Sequence, residues 1–524
     1  MADLSSRFDV AIIGGGLSGL TLALQLNQSS PELAIIVLER SRLPPPAAAH
    51  KVGEATVEIG AHYLAHTLGL KPFLDRSQLR KFGLRMFFGS GYHDDLARAD
   101  ELGSSRFLPA TSYQLDRGTL EKKLIELLTE RGVDVQGDSR VRRASVSANS
   151  GAHELVVVQD GNERRIQSHW LIDAASRARL LKRALKLDRQ PSHRMCSSWL
   201  RVDKVIDVDE WSECPDWKSL CHGGPRRLST NHLMGPGYWA WLIPLAGDRT
   251  SIGLVADPAL HPQSTYDTLD KLEFWLARHQ PILAEAVAGA RNTVMDFRTL
   301  KNLSQDSGRV WGARWALTGE AGVFADPFYS PGSDFIGISN TFISDLIITH
   351  RSDGEHALYA EAYERMYKSF FSSTMSLYEG QYPGFGDTRL MVLKLTWDYA
   401  YYWSVLAWLF FREVMTDISF LRSLQPALIR TSLLNQSLQK EFRKRAAEQH
   451  QDRGCGRFFD QSAIPVLAGL NAALLDNSSN LRAEFSGNCE RLEALAPLLL
   501  SLLDGHSPAN RGSCSLLGDL ADRF

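Results

Sequence analysis

Residues Phe8 to Gln28 read FDVAIIGGGLSGLTLALQLNQ, and Ala34 to Glu39 read AIIVLE. The apolar run Phe8–Ile13 breaks at Gly14-Gly15-Gly16-Leu17-Ser18-Gly19. Leu20, Leu22, Ala23, Leu24 and Leu26 then suit a well-buried helix, and a second apolar run, Ala34–Leu38, follows. This is the pattern of a βαβ unit. The glycines fall where a dinucleotide fold needs them. Gly14 permits the tight turn, Gly16 lets backbone approach a pyrophosphate, and Gly19 lets the helix pack on the strand. The helix start, with Leu17 and Ser18, offers its N–H groups to phosphates. Glu39, followed by Arg40, lies 20 residues after Gly19 at the end of the second strand, where a carboxylate accepts ribose hydroxyls.

Three later segments select FAD over NAD. Tyr113-Gln114-Leu115-Asp116-Arg117 precedes a helix and puts Arg117 within reach of a flavin or phosphate. Trp170–Ser176 is an apolar strand running into small residues. Trp315-Ala316-Leu317-Thr318-Gly319-Glu320-Ala321-Gly322 is a strand entering a glycine turn, with Asp326-Pro327 and Gly332 beyond it. The last of these strands is expected to return beside the first. Glu320 is expected near the ribityl or pyrophosphate region.

Composition narrows the function classes. The chain has 524 residues, 44% hydrophobic and 23% charged, which excludes wholesale disorder. Lys+Arg 58 against Asp+Glu 60 gives a net charge of -2, so no basic surplus favours nucleic acid. Cys196, Cys214, Cys221, Cys455, Cys489 and Cys514 show no CxxC or zinc spacing, and with no secretory signal at the start a cytoplasmic protein is expected. The most apolar later stretches, Tyr399–Phe411 and Leu495–Leu503, fall short of the roughly 18 to 20 residues of a membrane span. Glu58, His62 and His66 share a helix face, yet HExxH is not matched, so no metal is expected. No P-loop and no GxSxG elbow occurs.

Further along, Pro44–Ala49 reads as a loop. Val57, Ala61, Leu64 and Leu68 recur at helical spacing until Gly69. Leu79–Phe88 reads as one strand, with Phe82, Leu84, Met86 and Phe88 on one face and Lys81, Gly83, Arg85 and Phe87 on the other. Past about residue 341 strands become scarce, and Tyr359–Leu377, Leu390–Val414 and Ile418–Gln449 are helical patterns rich in aromatics. The expected architecture is α/β: a Rossmann-like FAD-binding domain of the flavin monooxygenase type with an inserted β-sheet substrate region over 1–345, and a mainly helical domain over 346–524.

Four segments carry a family resemblance: Val52-Gly53-Glu54-Ala55-Thr56, Lys81-Phe82-Gly83-Leu84-Arg85, Gly237-Tyr238-Trp239-Ala240-Trp241-Leu242-Ile243-Pro244 and Asp326-Pro327-Phe328-Tyr329-Ser330-Pro331-Gly332. They resemble the flavin-dependent halogenases, the third matching that family's WxWxIP motif residue for residue. The resemblance implies that Glu54, Ala55 and Thr56 lead into a helix over the flavin, and that Lys81 is the reactive lysine. It makes Trp239, Trp241 and Pro244 the barrier and tunnel that keep substrate from the flavin. It places Asp326, Pro327, Tyr329, Ser330 and Gly332 near the flavin and halide. Reduced FAD, oxygen and chloride or bromide then give hypohalous acid, which reaches the lysine beside an electron-rich aromatic. The implied partners are a separate flavin reductase and a small aromatic substrate, free or on a carrier protein. Where tryptophan-specific members have Glu-Ser, this chain has Tyr329-Ser330, pointing to phenols, pyrroles or carrier-bound aromatics rather than free tryptophan. Other readings stand beside it. Lys81 on a polar strand face is solvated, Trp239 and Trp241 are core packing, and the scaffold serves a flavin monooxygenase or a non-catalytic FAD-binding module.

Overall fold

A computed structural model of the chain describes residues 6–46, 53–147, 151–349, 353–477 and 479–504. Val52, Ala47 to Ala49 of the proline-rich loop, and Cys514 lie outside the described residues. The chain divides into two units that alternate along the sequence. The first takes 1–77, 115–191 and 304–371, and the second takes 78–114, 192–303 and 372–524.

In the first unit the strand Ser6–Ile13 lies between Ile35–Leu38 and Asn162–Asp173, parallel to both. Val10 to Ile13 and Ile35 to Leu38 are buried, the continuous apolar reading of a parallel sheet covered on both faces. Asp134–Gln136 extends one edge, while Trp315–Leu317 and Trp311–Gly312 extend the other. The helices Leu17–Ser29 and Gly332–Ile348 pack against one another. The expected return of the last strand beside the first is corrected here. Both edges of Ser6–Ile13 are filled, so Trp315–Leu317 pairs in parallel with the far end of Asn162–Asp173.

The second unit holds a mixed sheet of eight strands. Its central part runs Leu84–Phe88, Thr230–Gly235, Tyr238–Leu245, Arg249–Ala256 and Cys196–Val202. Strand parity gives it two distinct faces. One row across the strands is Phe87, Leu233, Ala240 and Leu254, part of an apolar core with Leu272, Trp275, Leu276, Leu283 and Val287. The row behind it is Met86, His232, Trp241, Gly253 and Trp199.

The single strand expected over Leu79–Phe88 is also corrected. It splits at Gly83, whose φ of +77° only glycine adopts readily. Leu79–Lys81 pairs with Ser112–Gln114 in a separate two-stranded sheet, and Leu84–Phe88 joins the large one. Alternation therefore does not carry from Lys81 to Arg85.

The division expected at 345/346 is not the one drawn by the packing. Within the first unit, the Trp311 indole donates to the Ala360 carbonyl at 2.7 Å and the Phe342 and Tyr363 rings stack at 4.5 Å, so the helix Asp353–Ser376 begins on the Rossmann-like side. Within the second unit, Phe458–Asp460 pairs in parallel with Glu101 to Gly103 as a strand of the large sheet. The helices of this unit close over a buried polar set. Lys394 pairs with Asp398 at 2.9 Å and donates to Gln439 Oε1 at 2.8 Å, and the Trp397 indole donates to Asn435 at 2.9 Å. Trp403 and Trp408 are buried. Among the described residues no helix is long and apolar enough to cross a membrane.

Candidate active site

In the first unit three turns meet around the glycine loop. A Cβ on Gly14, at φ +114°, would lie 2.5 Å from the Ala174 carbonyl oxygen, and one on Gly19 would lie 2.1 Å from that of Gly14. These two glycines are required for close packing of strand, turn and helix. Gly16 differs. A Cβ there meets nothing within 4 Å, and no side chain caps the helix start at Leu17. Open space in front of an uncapped helix N-terminus is what a pyrophosphate requires, so the cradle fits the diphosphate of FAD. Glu39 is engaged locally: its carboxylate accepts from the Gly15 and Ser41 amides, each at 2.9 Å. Arg40 is exposed.

The strand ends supply the other two turns. Asp173, fully buried, accepts from the Ala175 amide at 2.9 Å and the Leu181 amide at 2.8 Å, shaping the turn after its strand. Glu320 accepts from the Ser176 hydroxyl at 2.7 Å and faces Arg177 Nε at 3.4 Å, while Gly319, at φ +60°, lies against Ser18. Arg117 is held by Glu121 at 2.8 Å and by the Gly53 carbonyl at 3.4 Å. Glu54, Ala55 and Thr56 are buried, and the Leu115 amide donates to the Glu54 carbonyl.

Sequence reading missed the residue that knits this half together. Asn340, fully buried, donates to the Ser18 carbonyl at 3.2 Å, Thr21 at 3.1 Å and the Tyr63 hydroxyl at 3.0 Å, and accepts from Thr318 at 2.7 Å. Asp334 likewise accepts from the Gly60 amide at 2.8 Å. Both sit on the helix that opens at Gly332. Ahead of it, Asp326 caps the Phe328 amide at 2.9 Å, Tyr329 packs on Phe328 at 4.8 Å, and Ser330 holds φ +59°. Such a conformation is uncommon for a residue with a Cβ, and it aims the turn into Pro331 and the helix. Pro327 is half-buried, and a Cβ on Gly332 would meet only ordinary contacts. His62 and His66 stack at 4.8 Å because the helix Glu58–His62 passes into a π turn over Tyr63–Thr67. Burial first, then His66, bring His62 down to about 4.

In the second unit Lys81 is 4% exposed, not solvated. Burial of an ammonium is costly unless neighbours accept its hydrogens. The turn after Lys81 is pinned to the next segment of the unit: the Phe82 amide donates to the Leu228 carbonyl at 2.9 Å, and the Thr230 amide donates to the Gly83 carbonyl at 3.0 Å. His232 follows in that strand. Its ring lies 4.7 Å from that of Trp239, and Trp239 lies 5.6 Å from Trp241. Trp239 donates to the Tyr382 hydroxyl at 2.9 Å and Trp241 to Ser251 at 3.2 Å. A Cβ on Gly253 would fall 2.2 Å from the Trp241 ring, so the glycine makes room for that indole. Pro244 is buried near the end of the same strand. Trp239 and Trp241 thus form a rigid face behind the apolar core row, with both N–H groups satisfied.

Comparison with known proteins agrees with the sequence pattern. The flavin-dependent halogenase chlA of Dictyostelium discoideum is 24% identical over 438 residues, covering 77% of this chain and 71% of that protein. The chain is related to the flavin-dependent halogenases. The tetracycline 7-halogenase of Kitasatospora aureofaciens is 24% identical over 388 residues, covering 68% and 67% of the two chains. The fold is shared with the halogenase PltM crystallised with phloroglucinol and FAD, at a TM-score of 0.63 and 16% identity over 98% of each chain. A profile of the lycopene cyclase protein family matches residues 9–196, the part that carries the glycine loop.

Proposed function

We propose that this chain is an FAD-dependent halogenase that uses reduced FAD, oxygen and chloride or bromide to halogenate an electron-rich aromatic, a phenol or a pyrrole, free or held on a carrier protein. A separate flavin reductase supplies the reduced FAD, and the protein acts in the cytoplasm. The observation that carries this reading is the buried Lys81 in the unit whose sheet presents Trp239 and Trp241.

Gly14, Gly16 and Gly19, with the Leu17 and Ser18 amides, hold the diphosphate. Glu39, Glu54, Thr56, Arg117, Gly319 and Glu320 border the rest of the cofactor. Bound there, reduced FAD with oxygen and halide supplies hypohalous acid. Asp326, Tyr329, Ser330 and Gly332 shape the turn that receives the halide. Lys81 hydrogen-bonds the hypohalous acid or takes its halogen onto nitrogen with release of water. The aromatic carbon then attacks the halogen and loses its proton. Burial shields the amine from bulk water, and buried amines readily change protonation state. Trp239 and Trp241 are wide and stiff enough to bar the aromatic from direct oxygen transfer. Tyr329 in place of a carboxylate removes the group that free tryptophan would need, which favours phenols and pyrroles.

The test is incubation with a flavin reductase, FAD, bromide and a panel of phenols, pyrroles and indoles, followed by mass spectrometry. A product with the bromine isotope pair, dependent on bromide, is expected. An added oxygen irrespective of halide identifies a monooxygenase and overturns the proposal, as does the absence of any product.

A further inference from the structure

Lys81 sits in the short ribbon that Leu79–Lys81 forms with Ser112–Gln114, directly opposite Ser112. A two-stranded ribbon is marginal by itself and depends on what it packs against. Part of that support comes from loop 104–111, which runs straight into Ser112. The Arg80 guanidinium lies 4.5 Å over the Phe107 ring, and the Phe82 ring lies 4.5 Å from it. Both chain neighbours of Lys81 therefore rest on one side chain of this loop.

The loop is held in turn by the C-terminal part of the same unit. At its start, the Asp460 carboxylate accepts from the Ser105 amide at 3.1 Å and from the Ser462 amide at 2.9 Å. The Ser462 carbonyl accepts from Arg106 at 3.0 Å, and the Ser105 and Ser462 hydroxyls lie 3.2 Å apart. At its end, Asn471 on the helix Pro465–Ala473 is 0% exposed and accepts from the Ala110 amide at 3.0 Å, two residues before Ser112. Only the carbonyl half of an asparagine can meet an N–H donor, and the Nδ2 group is left without an acceptor among the described residues. A leucine would fill this helix position without burying a spare donor. Pairing of Phe458–Asp460 with Glu101 to Gly103 already docks the segment on the sheet, so the Asn471 bond serves the loop rather than the docking.

We propose that Asn471 and Asp460 are positioning residues for Lys81, clamping loop 104–111 at both ends so that Phe107 and Ser112 hold the lysine's ribbon in one place. This rests on the halogenase reading for what Lys81 does, though not for how it is held. It gives the C-terminal part a task in the reaction, because the placement of the amine is set by residues far along the chain from the strand that carries it. Neither residue touches substrate or cofactor in this role. Each acts through the loop.

The test reads the ribbon without relying on turnover, by hydrogen–deuterium exchange of the FAD-loaded chain followed by peptide mass spectrometry. In Asn471→Leu the amides of Leu79–Lys81 and Ser112–Gln114 are expected to exchange about tenfold faster, while those of Tyr238–Leu245 keep the wild-type rate. Asn471→Asp keeps an acceptor oxygen and is expected to restore the protection. Unchanged exchange in Asn471→Leu overturns the proposal. So does equal acceleration in Tyr238–Leu245, which marks a general loosening, and so does an Asp variant no better protected than the Leu variant. If Asn471→Leu does not fold, Asp460→Ala is read the same way at the other end of the loop. In parallel, Asn471→Leu is expected to form bromide-dependent oxidant at the wild-type rate and to brominate the aromatic about tenfold more slowly. Wild-type bromination by that variant overturns the proposal. A wild type that shows the expected exchange but forms no brominated product sinks the halogenase reading alone, and the exchange pattern then decides how Lys81 is held.

Discussion

The Ser176 hydroxyl donates a 2.7 Å hydrogen bond to Glu320, joining the turns that follow two parallel strands of the first unit. Both turns lie beside the glycine loop, so this bond sets one wall of the proposed cofactor site. Ser176→Ala removes a hydrogen bond to a charged acceptor, about 1 kcal/mol at this exposed position. The FAD dissociation constant, followed by flavin fluorescence quenching, is expected to rise about fivefold. No change would place Glu320 outside the cofactor site.

Two glycines of one loop separate binding from folding. Gly16→Val puts its side chain into open space, so the chain is expected to fold with wild-type thermal stability and lose flavin absorbance on purification. Gly19→Ala drives a methyl group against the Gly14 carbonyl, and a melting temperature lower by several degrees is expected before any effect on FAD. Retained flavin in the Gly16 variant contradicts the cradle assignment.

Acid sensitivity follows from buried histidines. His153 accepts from the Ser147 amide at Nδ1 at 3.0 Å and contacts the Arg314 carbonyl through Nε2 at 2.9 Å, so it is held as a neutral ring. Burial is the main cause that brings His62, His153 and His279 each down to about 4. The unfolded chain takes up these protons near pH 6.5 and the folded chain only near 4. Stability is therefore full above about pH 6.5 and declines as pH falls toward 4. Melting temperatures recorded between pH 7.5 and 4.5 are expected to fall steadily, and a flat profile contradicts this account.

The helical part of the second unit depends on its buried ion pair. Lys394→Ala leaves Asp398 buried without its cation, at a cost of about 3–5 kcal/mol. The double variant Lys394→Met/Asp398→Leu removes both charges and is expected to recover most of that loss in chemical denaturation. Equal loss in single and double variants would show that packing volume, not charge, dominates.

How much of this was legible in the sequence depends on distance along the chain. Gly14 to Glu39 is a local motif, and its strand, turn, helix and strand follow in the order read. Lys81 reads as a strand residue and is one, but its facing does not follow from the alternation, because the positive φ of Gly83 interrupts it between Lys81 and Arg85. Asn340 carried no signal. Its partners Ser18, Thr21 and Tyr63 lie hundreds of residues away, and an asparagine within an apolar helix pattern does not announce what it binds. The division by packing, at 371/372 in this part of the chain, differs from the boundary expected at 345/346 for a related reason. Helical periodicity identifies the helix Asp353–Ser376 but not the side of it that meets Trp311 and Phe342.

Whether a buried amine handles the oxidised halide is decided by Lys81→Ala. The variant and the wild type receive reduced FAD, oxygen and bromide, and both hypobromous acid and brominated aromatic are quantified. FAD binding and bromide-dependent oxidant are expected to persist in the variant while aromatic bromination falls about 100-fold or more. Wild-type bromination by Lys81→Ala would contradict it.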